Sequence, residues 1–380
     1  MTDTPIRALL PAGLHDTLPP EAAHEAEILA AVSQCFAAHG YERVKPPLVE
    51  FEDTLLDGAG GATASQCFRV MDPLTQKTMA VRADMTPQVV RIAQARLGGE
   101  PRPLRLSYGG DVLRVKGSQL RPERQFMQAG LEVIGSDAAA ADAEVLSVAV
   151  EALAAVGIRD ISIDLSLPTL VPAILDANGV WESRQELMLA LAHRDAGAAR
   201  TLGGVAAPVL EALLAAAGPL ERALAKLSTL AMPAHAAVER DRLARVAALL
   251  AKTAPGLILT VDPVESRGFE YYSGLAFTLF ARHPGIELGR GGRYMSGGEP
   301  ATGLTLDLDA VQTVAPARVR GRRVYVPLGT AASASAEARA AGWITVAGFE
   351  TVTDAAAEAR RLGCDHVLTG AGIAPSADQS

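Results

Sequence analysis

Residues 104–135 read LRLSYGGDVLRVKGSQLRPERQFMQAGLEVIG. Leu104 to Arg114 and Arg124 to Val133 read as two strands. The polar loop between them carries Lys116, Arg121, Glu123 and Arg124. Side chains two apart share a strand face, so Gln128, Gly130 and Glu132 point the same way. A carboxylate inside an otherwise apolar strand loses several kcal/mol of hydration unless it is paired or ligand-bound. Glu132 is therefore a candidate binding residue, whereas loop arginines such as Arg121 and Arg124 are by default solvated.

Outward from this hairpin, Pro19-Pro20-Glu21 opens a helical pattern through His39, with Ile28, Leu29, Val32 and Phe36 at helical spacing and Gly40 as the stop. Tyr41 to Leu48 reads as a short strand broken by prolines. Phe68–Met71 and Lys77–Arg82 flank the turn Asp72-Pro73-Leu74 as a hairpin, and Thr86-Pro87 reads as the N-cap and first residue of a helix through Ala95. Downstream, a helix is expected from Ala141 to Ala155 and a strand from Asp160 to Leu165. An alanine- and leucine-rich helical block spans about 168–255, and strands are expected at Ile258–Asp262, Glu270–Phe280 and Glu287–Gly289. After Ala317 three short strands alternate with two helices, a small parallel α/β unit with a frayed tail beyond Gly372.

Hydrophobic residues make up 49% of the 380-residue chain and charged ones 21%, which excludes a disordered class. The formal charge of −8 argues against a large nucleic-acid footprint. Cys35, Cys67 and Cys364 follow no metal or redox spacing and read as idle thiols. No apolar run follows the N-terminal residues as in a signal peptide, and none is long enough to span a bilayer, so a soluble cytoplasmic protein is expected.

Several stretches together resemble a known family. The 105–114 and 125–135 strands are similar to motif 2 of class II aminoacyl-tRNA synthetases, in particular the histidyl enzyme. Tyr41 to Leu48, with Pro47, resembles motif 1. Val81 to Pro87, Ser266-Arg267-Gly268-Phe269-Glu270-Tyr271-Tyr272 and Gly291-Gly292-Arg293-Tyr294 resemble three further histidyl-synthetase signatures in the family's order. The resemblance implies an α+β fold: an antiparallel class II core over 1–318 with a helical insertion, then the α/β unit at 319–380. It also implies a pocket for free histidine. Asp84 and Gln128 suit the ammonium, Arg114 or Arg267 the carboxylate, and Glu132 an imidazole N–H. Tyr272 or Tyr294, with Tyr271 beside them, would close the ring pocket. Asp84 also has the chemistry of a helix cap, the tyrosines that of strand packing, and Gly291-Gly292 that of a turn.

Adenylate chemistry is opposed by three positions. Ala310 stands where motif 3 has its arginine, Asp307 replaces a glycine, and Lys116 replaces the glutamate that accepts from adenine. A missing guanidinium, an added carboxylate and a reversed hydrogen-bonding sense all disfavour ATP. The sixty-odd residues after Ala317 are also too few for the family's anticodon-binding domain, so no tRNA partner is expected. This combination resembles the synthetase-like regulatory subunits of ATP phosphoribosyltransferase, the enzyme that opens histidine biosynthesis. What the resemblance implies is a non-catalytic histidine sensor, without catalytic residues, metal or cofactor. It implies a homodimer within a hetero-oligomer whose partner is the short-form catalytic subunit. Lys116, Arg121 and Arg124 are then candidates for holding an anion.

Overall fold

The computed structural model describes residues 9–117, 121–266 and 271–376. The chain divides into two compact units, Met1–Pro316 and Ala317–Ser380.

The first unit is built on one large sheet, nine-stranded among the described residues. The strands run in the order Glu42–Arg43, Leu104–Leu113, Gln125–Ile134, Glu299–Asp307, Ile286–Ser296, Ala276–Ala281, Ile161–Ser166, Ile258–Asp262 and Gly218–Pro219. Neighbours are antiparallel except where Glu42–Arg43 joins Leu104–Leu113 and where Ile161–Ser166 joins Ile258–Asp262. Alternation along Gln125–Ile134 sorts its two faces. Ala129, Leu131 and Val133 enter a large core with Ile28, Val32 and Phe36 of helix Glu21–Ala38 and with Val145 and Leu146 of helix Ala139–Ala155. The opposite face carries Gln128, Gly130 and Glu132, and there Tyr108, Tyr272 and Tyr294 pack with Met85 and Val89 near helix Thr86–Ala95. One face of the sheet is thus sealed by helices, and the other holds the polar side chains.

Between Ser166 and Ile258 lie six α-helices, from Leu170–Ala177 to Ala234–Thr253. A separate three-stranded sheet pairs Thr78–Val81 with both Val49–Phe51 and Arg69–Met71.

Three segments depart from the expectations. The strand expected over 270–280 begins only at Ala276: Glu270 lies outside the described residues, and Tyr271 to Leu275 form a bent approach tied to the sheet by Ser273 N donating to Arg293 O. The short strand at 287–289 is in fact Ile286–Ser296, which forms a hairpin with Glu299–Asp307. Gly291 and Gly292 therefore lie inside a strand and not in a turn. A Cβ at Gly291 would sit 2.1 Å from the Gly303 carbonyl oxygen, so the hairpin requires a residue without one.

The third departure is in the second unit. Arg323–Val326 pairs in parallel with Ile344–Ala347 and His366–Thr369, with helices Ala332–Ala340 and Ala355–Arg361 between them. Where a frayed tail is expected beyond Gly372, the chain first turns back as a strand, Gly372–Pro375, antiparallel to His366–Thr369; residues 377–380 lie outside the described residues. Backbone groups that a tail would leave to water are paired in a ladder instead.

Candidate functional site

A cavity of about 800 Å³ opens on the polar face of the sheet, between the 104–134 hairpin, the start of helix Thr86–Ala95 and the 286–307 hairpin. At its floor is Glu132, 1% exposed. Three hydroxyls converge on its carboxylate. Thr86 Oγ1 and Tyr108 OH each donate to Oε1 at 3.2 Å, and Tyr294 OH donates to Oε2 at 2.9 Å. Burial pushes the Glu132 carboxyl up to about 8, although the three hydroxyl donors pull the other way, and nearby Asp84 adds to the rise.

Two glycines make room for this cluster. Gly130 lies opposite Tyr108 and Gly303 opposite Glu132 in the strand register. A Cβ at Gly130 would meet the Tyr108 ring carbon Cζ and hydroxyl at 2.3 Å, and one at Gly303 would come within 1.6 Å of Glu132 Oε2. The tyrosine and the glutamate lie across the strands because their cross-strand partners have no side chain.

A second polar group surrounds Gln128, which is 1% exposed. Its Nε2 donates to Asp84 Oδ2 at 3.2 Å and to Asp307 Oδ1 at 3.4 Å, while its Oε1 accepts from Met85 N at 3.3 Å. The amide thus bridges two carboxylates, and its oxygen is engaged by the backbone. Negative charge for an ammonium would come from Asp84 and Asp307. Asp84 also caps: its Oδ1 accepts from Thr86 N at 2.8 Å. Helix Thr86–Ala95 is therefore capped by Asp84 and not, as the sequence suggests, by Thr86, whose hydroxyl is taken up by Glu132 and lies 3.1 Å from Tyr108 OH.

The cations around the cavity differ in what they hold. Arg121 is not solvated: it forms an ion pair with Asp307 and donates to Glu287 O at 2.6 Å. Arg124 stacks on Phe68 at 5.0 Å and donates to Ala12 O at 3.0 Å, which pins the N-terminal segment. Neither is free to receive an anion without breaking these contacts. Arg114 lies over the Phe126 ring at 4.8 Å and reaches Ala83 O at 3.4 Å, and no carboxylate pairs with it among the described residues. Lys116 is exposed on the rim. Arg267 lies outside the described residues. Tyr271 and Tyr272 stack with ring centroids 4.1 Å apart, and Tyr271 lies 5.9 Å from Tyr294, so the three form one aromatic wall.

Residues 13–311 match the histidyl-tRNA synthetase family. The ATP phosphoribosyltransferase regulatory subunit of Paramagnetospirillum magneticum is 58% identical over 375 residues, 98% of this chain and 99% of its own. The chain belongs to the regulatory-subunit branch of the histidyl-tRNA synthetase family. Solved structures give the same fold. A chain from Bacillus halodurans, described as an ATP phosphoribosyltransferase regulatory subunit/histidyl-tRNA synthetase, matches with a TM-score of 0.81 over 94% of this chain and 97% of its own, at 22% identity. A chain of the ATP phosphoribosyl transferase complex from Thermotoga maritima matches with a TM-score of 0.61 over 75% and 97%, at 18% identity.

In this class II core, two of the three positions that depart from a synthetase reach the cavity. Asp307 and Lys116 line it, while Ala310, on helix Leu308–Val314, is buried and does not. Sequence reasoning missed Thr86, Thr305 and Arg290 as cavity residues, and it gave Tyr108 no role in the site. Tyr108 OH in fact lies between Glu132 and Thr305 Oγ1, 2.8 Å from the latter. Arg290 reaches the cavity while holding Glu287 Oε1 at 2.7 Å. A usable signal was the glycine two residues from both Gln128 and Glu132, which leaves space for something large.

Proposed function

We propose that this chain is the non-catalytic regulatory subunit of a cytoplasmic ATP phosphoribosyltransferase. It binds free histidine around Glu132, and its occupancy sets the rate of a separate short catalytic chain. The observation that carries the reading is the buried Glu132 carboxylate, placed on a cavity floor amid hydroxyls. Oε1 already accepts two hydrogen bonds, whereas Oε2 accepts one and keeps capacity for an imidazole N–H. Asp84 and Asp307 supply negative charge where the ammonium would lie, and Arg114, whose Nε reaches the Ala83 carbonyl, offers its remaining guanidinium donors to the carboxylate. The tyrosine wall would cover the ring.

Lack of catalysis is supported by Lys116, which only donates, and by Ala310, which brings no guanidinium to the cavity. The partner is supported by the function named for the Paramagnetospirillum relative and by the Thermotoga chain, which was solved in a transferase complex. A second copy of this chain would fit the small three-stranded sheet, where Phe51, Val70 and Met71 are exposed. No described helix is long and apolar enough to cross a membrane.

Isothermal calorimetry tests the pocket. Histidine should bind the wild-type chain, bind more weakly to Arg114→Ala and be lost in Glu132→Ala. Equal binding by all three chains would place the histidine site elsewhere.

A further inference from the structure

A second side-chain cluster lies on the helical face of the sheet, away from the cavity. Cys35 and His39 are four residues apart at the end of helix Glu21–Ala38, so they project from the same side of successive turns. Glu151 faces them from helix Ala139–Ala155. Cys35 Sγ, His39 Nε2 and Glu151 Oε2 all lie within 4.8 Å of one another, and this is the only such group of three among the described residues. His39 Nε2 and Glu151 Oε2 are already 2.8 Å apart. The thiol has no stronger partner than the Val148 carbonyl, at 4.0 Å.

We propose that Cys35, His39 and Glu151 form a binding site for a borderline-soft divalent cation, with Zn²⁺ as the fitting ion. The donor set is one sulfur, one imidazole nitrogen and one carboxylate oxygen, each a normal zinc ligand, and a water completes the tetrahedron. Two ligands on one helix face with a third from a packed neighbour is a preformed geometry. Small rotamer changes bring three atoms at these separations to bonding distances of about 2.0–2.3 Å from a common centre. Charge balances as well, since a thiolate and a carboxylate neutralise the dication and an imidazole ligand adds no charge. On binding, the Cys35 S–H bond is replaced by S–Zn and one proton leaves to solvent. Bound metal would staple the end of the first helix to helix Ala139–Ala155, two elements that seal the sheet behind the Gln128–Glu132 strand.

The test uses the full-length, tag-free chain under a non-thiol reductant, stripped with chelator. Co²⁺ should bind with one equivalent per chain and show a thiolate-to-cobalt charge-transfer band that is absent in Cys35→Ser. In competition with a chromophoric chelator, Zn²⁺ should bind more than about tenfold more weakly to Cys35→Ser and to His39→Gln. It should raise the melting temperature of the wild type alone. His39→Gln changes an exposed position and keeps the test open if Cys35→Ser folds poorly. Zn²⁺ affinity that is the same in wild type and variants, or Co²⁺ binding without the thiolate band, would overturn the assignment.

Discussion

The Tyr294 hydroxyl donates to Glu132 Oε2 across 2.9 Å, from a strand that is not adjacent to the one carrying Glu132. Glu299–Asp307 runs between them, and Gly303 is the residue on it that faces Glu132. The contact passes over a strand that has no side chain at that point. Position 303 should then be intolerant of alanine, because a Cβ would lie 1.6 Å from Oε2. Gly303→Ala should cost about 1–3 kcal/mol through overpacking and remove histidine binding. Thermal unfolding and calorimetry check the two effects separately, and a variant with wild-type stability and affinity would show that the cluster relaxes freely.

The raised Glu132 carboxyl gives a pH dependence whose sign can be worked out. Its folded value is about 8 against an ordinary 4.5, so between those values the native state binds more protons than the unfolded chain. Stability contributed by this group is therefore full below about pH 4.5, falls as pH rises through that window, and levels off above about 8. The slope reaches about 1.4 kcal/mol per pH unit at most. Glu132→Gln keeps the shape without the titration. Denaturant unfolding of the two chains from pH 5 to 9 should show the variant gaining on the wild type as pH rises. Parallel curves would mean that Glu132 titrates normally.

Arg121 and Asp307 should be energetically coupled. The pair is mostly buried, and Asp307 also accepts from Gln128. Arg121→Ala leaves that carboxylate without its cation and should cost about 2 kcal/mol, a value reduced for the partial exposure of the arginine. Asp307→Asn together with Arg121→Ala should cost clearly less than the two single changes added. Simple additivity in urea unfolding would show that the ion pair contributes nothing.

The 104–134 hairpin was legible in sequence because its signal is local: two strand-like runs, a polar loop between them and one carboxylate in an otherwise apolar strand. Its observed strands, Leu104–Leu113 and Gln125–Ile134, lie within a residue of the expected ones. The 286–307 hairpin was not, since its glycines imitate turn residues and only the neighbouring strands reveal that they permit close approach. The site was legible in its residue types and less so in their partners. Asp84 could be read as ligand or cap, and the fold gives its two oxygens different partners. Arg121 and Asp307 are 186 residues apart, and Cys35 and Glu151 sit on helices whose packing no local pattern encodes.

The proposed regulatory role makes the strongest demand on a second chain. A site that binds histidine without consuming it alters metabolism only if bound and free states differ in their free energy of contact with something else. Histidine ends the pathway that ATP phosphoribosyltransferase opens, so a histidine sensor attached to that enzyme closes a feedback loop. The sequence has no phosphate-cradling glycine loop that would supply transferase activity itself. The regulatory reading therefore requires the catalytic chain to be a separate polypeptide, held through an interface of about 1,200 Å² or more to persist on a sizing column. Mixing the purified chains should give a hetero-oligomer whose transferase rate differs from that of the catalytic chain alone. Adding histidine should change that rate in the wild-type complex. The Glu132→Ala complex should assemble but lose this part of the response, because linkage requires the bound ligand and not merely the bound subunit. Assembly with an unaltered histidine response in Glu132→Ala would put the sensor on the catalytic chain, and failure of the two chains to associate at micromolar concentration would remove the regulatory reading altogether.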